Sequence, residues 1–236
     1  MIISSDVFEA YLKCASKCWS RFHGEEAVGN MYAQWVREKN LCYRIEALKR
    51  LLEKVHRDDY IVAPSQPVNI KMAKWRLAID FVVQKKNLET TIQAIERLSS
   101  EDDFIQIIPI RFVFTNKITK DDRLLLAFDA LVLSAALGYE VSLGRIIHGD
   151  DLATLKVKTS ALAGEVWKRI EKITALLSSH SAPDLILNRH CTECEFQARC
   201  RQKAIEVDDL SLLSGMTEKE RSRYRSKGIF TVNQLS

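Results

Sequence analysis

The residue pattern predicts a mixed α/β domain, one layer of strands with helices packed against it. Three observations carry this. Apolar residues recur at helical spacing up to about residue 55. β-branched and aromatic residues then take over, and three of the four prolines lie between Pro64 and Pro109. A nearly all-apolar helical stretch follows, with further strand and helix patterns behind it. At 236 residues and 47% hydrophobic, the chain can bury a core without disulfide staples.

Residues 5–22 read as one helix, capped by Ser5, with Val7, Tyr11, Cys14 and Cys18 on one face. Gly24 ends it. A longer helix is expected over 25–55, with Trp35, Leu41, Ile45, Leu48, Leu51 and Leu52 as its apolar stripe. The alternation in 75–83 predicts a strand containing Asp80, Gln84-Lys-Lys-Asn87 a turn, and 88–98 a partner strand. Residues 104–114 (FIQIIPIRFVF) read as a third strand, where Pro109 suggests an edge or a bulge. Thr119 caps a buried helix that Gly138 terminates. Residues 141–148 form a fourth strand, Gly149-Asp-Asp a turn, and 160–179 an amphipathic helix. A Ser/Pro linker, 178–183, leads into the cysteine segment, and 208–236 is polar with a helical pattern.

Lys+Arg exceed Asp+Glu by 35 to 31, a mild basic excess that permits a nucleic-acid partner without arguing for one. The N-terminus lacks an export pattern, and the longest uncharged apolar run, 130–139, is too short to span a bilayer. The expectation is a cytoplasmic protein with no membrane partner. In that compartment six cysteines point to metal or redox chemistry rather than disulfides.

Cys191, Cys194 and Cys200 are spaced C-x₂-C-x₅-C, one thiolate short of a four-coordinate set. The fourth is expected at Cys14 or Cys18. Thiolate ligands suit zinc, with Cys14-x₃-Cys18 as a second knuckle, or an iron–sulfur cluster, which tolerates wide ligand separation. Cys42 reads as a buried apolar thiol in mid-helix. His23, His148 and His190 are isolated surface or capping residues, and Glu25 and Glu26 fall where acids favour a helix first turn.

Tyr11-Leu-Lys-Cys14 on an opening helix, the late C-x₂-C-x₅-C and the intervening helix–strand–strand–helix–strand order together resemble a known family. They are similar to the RecB-type nucleases of the PD-(D/E)xK superfamily that carry an iron–sulfur cluster, among them CRISPR-adaptation and AddB-type nucleases. The resemblance spans about residues 5–203, and HCTECEFQARC is its most specific part. It implies a restriction-endonuclease-like core over 1–203 with a [4Fe–4S] cluster on Cys14, Cys191, Cys194 and Cys200. Cys14 is favoured over Cys18 because the family's first ligand follows an aromatic-leucine-basic stretch. Zinc is the alternative.

The same resemblance implies Mg²⁺-dependent phosphodiester cleavage, in which acids hold the metal beside a lysine. Asp80 matches the first acid. The Glu-x-Lys positions read Arg111 and Val113, and the buried helix offers Leu124 and Phe128 where the family has Gln and Tyr. Glu96, followed by Arg97, is the alternative second acid. The site is therefore expected to be degenerate, with Mg²⁺ bound only where it remains active.

Residues 204–236 resemble a helix-hairpin-helix segment, with Thr217 and Glu220 as a capping box. Lys219, Arg221, Arg223, Arg225 and Lys227 would contact a DNA backbone. In the related branch this region leads into further domains, so the chain reads as a truncated or split product. Two functions follow: a DNA nuclease using Asp80 and Glu96, or a non-catalytic DNA-binding module whose partners or further domains supply activity. A zinc- or cluster-stabilised scaffold in a protein assembly is the reading outside that class.

Overall fold

In the computed structural model, which describes residues 1–27, 29–64, 73–99 and 105–235, the strands form one mixed seven-stranded sheet. Its order is β2 (Tyr60–Val62), β3 (Leu77–Lys85), β4 (Leu88–Ser99), β5 (Ile105–Val113), β6 (Leu143–His148) and β7 (Ala153–Lys158). A short β1 (Ile3–Ser4) adds in parallel to the start of β4. The β2–β3 and β5–β6 pairs are likewise parallel, and β3–β4, β4–β5 and β6–β7 are antiparallel. The mixed α/β expectation holds at this level. β1, β2 and β7 were not predicted; each is too short, or too polar on one face, to stand out in the residue pattern. Val28 and Phe104, in the predicted second helix and third strand, lie outside the described residues.

The chain divides into two units, and the first comprises Met1–Glu9 and Lys39–Thr174. Within it, the last part of α3 (Met31–Leu52) lays Ala47 on Leu77, Ile79, Ala94, Ile110, Phe112 and Ile147 of the sheet. Helix α4 (Lys120–Leu137) is closed by the predicted caps: Thr119 and Asp122 form a capping box, and Gly138 takes a left-handed φ of 79°. Leu126 of α4 packs with Ile146 and Val157, and Phe128 stacks on Phe8 at 4.5 Å between ring centroids. Helix α5 (Ala163–Ser178) follows a 3₁₀ turn over Thr159–Leu162, so the predicted helix starts later than its apolar spacing suggests.

Two predictions about strands need correction. Pro109 sits on a central strand, not an edge. The β6 ladder begins only at Ile110, so Pro109 lies where β5 has β4 alone as its neighbour and the missing N–H is tolerated. The alternation of β3 also breaks, at Asp80, whose φ is +53°. Ladder partners run Ile79↔Ala94 and Phe81↔Ile92 on either side of it. Thr90 and Ala94 should share a face in a regular strand. Yet Thr90 reaches Asp129 of α4, while Ala94 packs with Ala47 of α3. Both strands thus change face at the Asp80–Gln93 rung. The Gln93 side chain fills the gap by accepting the Phe112 N–H at 2.7 Å.

Helix α3 corrects the predicted apolar stripe as well. Leu48, Leu51 and Leu52 pack against the core as predicted, but Trp35, Leu41 and Ile45 are exposed, at 45%, 57% and 60%, and the most buried positions are Ala33 and Ala47. Small side chains allow close approach, a role that hydrophobicity counting overlooks. Cys42 is exposed too, not a core thiol.

The second unit comprises Ala10–Glu38 and Ala175–Ser236. It contains α2 (Ala15–Phe22), a 3₁₀ turn over Arg189–Glu193, α6 (Gln197–Glu206) and α7 (Glu218–Arg225). Glu25 and Glu26 lie in the loop before α3 rather than in its first turn. Helix α7 starts at the predicted Thr217–Glu220 capping box.

Candidate functional site

The predicted N-terminal helix over 5–22 is two helices, α1 (Ser5–Lys13) and α2, and the break falls on Cys14. Cys14 is extended, with φ −168° and ψ 132°, although its N–H still bonds to Ala10 O and its carbonyl accepts from Cys18 N. Cys18 lies inside α2 and is fully buried.

Cys14 lines one cavity of about 20 Å³ together with Cys191, Cys194 and Cys200. Lys13, Lys17, Asn188 and His190 share its wall, and Cys18 is not among the lining residues. Cys191 comes from the 3₁₀ turn, Cys194 from the bend behind it and Cys200 from the first turns of α6. The sulfur-only donor set suits thiophilic chemistry, zinc or an iron–sulfur cluster. Among the described residues, no group of three or more His, Cys, Asp or Glu side chains is placed to hold a metal ion.

Burial raises the thiol pKa of Cys191, Cys194 and Cys200, the last to about 11 with the neighbouring cysteines adding to the rise. Lys17 acts in the opposite direction on Cys191 and Cys194. A metal or cluster bound here would need these groups as thiolates, and the Lys17 ammonium favours that form at Cys191 and Cys194. Cys18 is pushed up to about 12, chiefly by burial.

Ion pairs that sequence reasoning missed hold the cysteine segment. Glu195, 7% exposed, receives Lys17 Nζ at 2.9 Å and Arg21 Nε at 2.7 Å. Burial alone would raise this carboxyl, but the hydrogen bonds from Lys17, its own backbone N–H and Arg21 bring it down to about 2. Arg199 bonds Glu25 at 2.7 Å and Ser20 Oγ at 2.8 Å. Asn30 Nδ2 donates to Cys194 O at 2.7 Å, and Gly29 N–H to Glu195 O at 2.9 Å. The one available signal was an acid lodged between two cysteines, Cys194-Glu195, with basic residues on the opening helix. His190 also stands at the cavity, its Nδ1 3.3 Å from Glu193 Oε1, while His23 stacks on Trp19.

In the first unit the two candidate metal carboxylates are taken up by arginines. Asp80 bonds Arg44 of α3. Glu96 bonds Arg145 of β6, and Arg76 stands 4.0 Å away. Arg111, at the position where the resemblance has a carboxylate, turns to α4. It donates to Asp129 through Nε at 2.5 Å and Nη2 at 3.0 Å, and Thr90 Oγ1 completes the set at 2.5 Å. Burial opposes the Arg111 charge, but Asp129 beside it more than compensates and raises its pKa.

The five basic residues of the tail separate. Arg221, 6% exposed, grips Asp209 through Nε at 3.0 Å and Nη2 at 2.6 Å. Arg225 pairs with Asp184 at 2.7 Å and lies over the Phe230 ring. Lys219, Arg223 and Lys227 are exposed.

Among the described residues, no helix is long and apolar enough to cross a membrane. No family model matches the chain, and no curated protein matches it. Among solved structures, the one titled "Crystal structure of SSO0001" aligns with a TM-score of 0.36 at 12% identity, covering 68% of this chain and 95% of that one.

Proposed function

We propose that this chain is a DNA-handling protein on a PD-(D/E)xK-type core whose phosphodiesterase site is degenerate, with Cys14, Cys191, Cys194 and Cys200 holding a [4Fe–4S] cluster. The observation that carries the loss of cleavage is the pairing of both candidate acids with arginine: Asp80 with Arg44, Glu96 with Arg145 and Arg76. A guanidinium on a carboxylate supplies the charge a Mg²⁺ would bring and blocks the oxygens it would use. Carboxylates paired in this way are not open to hold the metal that would activate a water.

The cluster assignment rests on the four thiols lining one cavity from positions 14 and 191–200. When bound, the cluster supplies a covalent tie between the chain's early and late segments. Lys13 and Lys17 offset the charge of the thiolates, and the buried Cys18 serves as packing. On the tail, Lys219, Arg223 and Lys227 are the residues free to meet phosphates. Arg221 and Arg225 instead fix the segment's own fold.

A cleavage assay with labelled single- and double-stranded DNA and Mg²⁺ or Mn²⁺ tests this. We expect binding without cutting, weakened by salt and by the Lys219→Ala/Arg223→Ala/Lys227→Ala variant, which should flatten the salt slope by about 2–3. Metal-dependent cleavage that disappears in Asp80→Ala would overturn the loss of catalysis. Its alternative is Mg²⁺ bound by Asp80 and Glu96, favoured by the strained φ of Asp80. Zinc without iron or sulfide in anaerobically purified protein would overturn the cluster.

A further inference from the structure

We infer that Glu195 is a positioning residue: its carboxylate, gripped by Lys17 and Arg21, seats the cysteine-bearing segment on α2, so the protein itself brings the thiols together before any cofactor binds. The inference uses the proposed function only in taking those thiols as ligands. Glu195 follows Cys194 directly, and its two partners stand one helical turn apart on α2. Lys17 also lines the cysteine cavity, so one ammonium serves both the latch and the thiols.

The contacts around it reinforce the same closure without using a single sulfur. Gly29 N–H reaches Glu195 O, Asn30 reaches Cys194 O, Arg199 reaches Glu25 and Ser20, and Asn188 Nδ2 reaches Lys13 O at 3.2 Å. Each joins residues 10–38 to residues 188–200. The Glu195 side chain is 8% exposed and that of Lys17 12%. Removing one partner from such an enclosed pair leaves an uncompensated charge, which costs far more than an exposed pair is worth. The cofactor is then loaded into a folded site rather than folding the site around itself.

Hydrogen exchange on the full chain, reduced and stripped with a chelator, reads this directly. The Gly29 amide is the reporter, because its acceptor is the Glu195 carbonyl. Stripped wild type, and a Cys14→Ser/Cys191→Ser/Cys194→Ser/Cys200→Ser variant, should keep Gly29 and Cys200 protected. Stripped Glu195→Gln should exchange about a hundredfold faster there, with Ile95, Ile110 and Leu126 unchanged, and Glu195→Asp should restore part of the protection. Loss of Gly29 protection in stripped wild type would overturn the inference, making the cofactor the latch. Full protection in Glu195→Gln would overturn it equally. If Glu195→Gln loses the Ile95 and Ile110 amides as well, Lys17→Gln replaces it; faster Gly29 exchange supports the latch and unchanged exchange refutes it. Iron and sulfide analysis is a separate measurement, so a failed cluster assignment leaves these exchange results standing.

Discussion

Replacing Arg111 with Met removes the cation from a site that cannot do without one. Asp129 is fully buried, the Arg111 side chain is 12% exposed, and two charge-assisted hydrogen bonds join them. Without the guanidinium, the Asp129 carboxylate keeps, among the described residues, the Thr90 hydroxyl, and the negative charges of Asp6 and Glu9, which favour the Arg111 cation, lose that attraction. Breaking a buried pair on one side costs about 3–5 kcal/mol. At about 2–4 °C per kcal/mol for a chain of this size, Tm falls by roughly 10 °C. Thermal and urea unfolding of Arg111→Met measure the loss. The Arg111→Met/Asp129→Leu double variant should recover most of it, because two apolar side chains replace a pair whose desolvation consumed much of its Coulomb gain. A single variant melting within about 2 °C of wild type, or a double variant no more stable than the single, would refute the reasoning. The Arg111–Asp129 pair would then not be a cornerstone of the fold.

Three further outcomes are expected. Gly144→Ala should lose about 1–3 kcal/mol in urea unfolding, since an added Cβ would stand 2.8 Å from Leu126 Cδ2 in a packed core. Asp209 has its pKa lowered: burial raises it, but the Arg221 and Ser211 hydrogen bonds outweigh that. Its stabilising effect is therefore complete above the ordinary carboxylate pKa of about 3.9 and fades as pH falls through the lower folded value. The stability gap between wild type and Asp209→Asn should be constant from about pH 6 to 8 and close below about pH 4. On iron analysis of anaerobically purified protein, Cys14→Ser should lose most of its iron while Cys18→Ser keeps it, because only Cys14 lines the cavity.

Local chemistry made much of the fold legible. The Thr119 and Thr217 capping boxes, the Gly138 terminator, the turn before β4 and the strand ranges of β3, β4 and β5 all follow from interactions within a few residues. The cysteine spacing likewise identified three thiols of the cavity. Helix interruption at Cys14 was not legible, because its apolar spacing is that of a continuous helix. Nor was the exposure of Trp35, Leu41 and Ile45, since a hydrophobic residue does not announce whether a neighbour will cover it.

By itself, then, the sequence determined the mixed α/β class, most element positions, the caps and the C-x₂-C-x₅-C spacing of three thiols that line one cavity, all written in short-range periodicity and side-chain type. Only the tertiary structure decided which charges meet. Arg44 found Asp80 across 36 positions, Arg145 found Glu96 across 49, and Lys17 with Arg21 found Glu195 from the far end of the chain. Charge pairing is set by which elements lie side by side, and no residue pattern encodes that locally. For the same reason the two acids suggested as metal ligands turned out to be held by arginines that no strand motif contains.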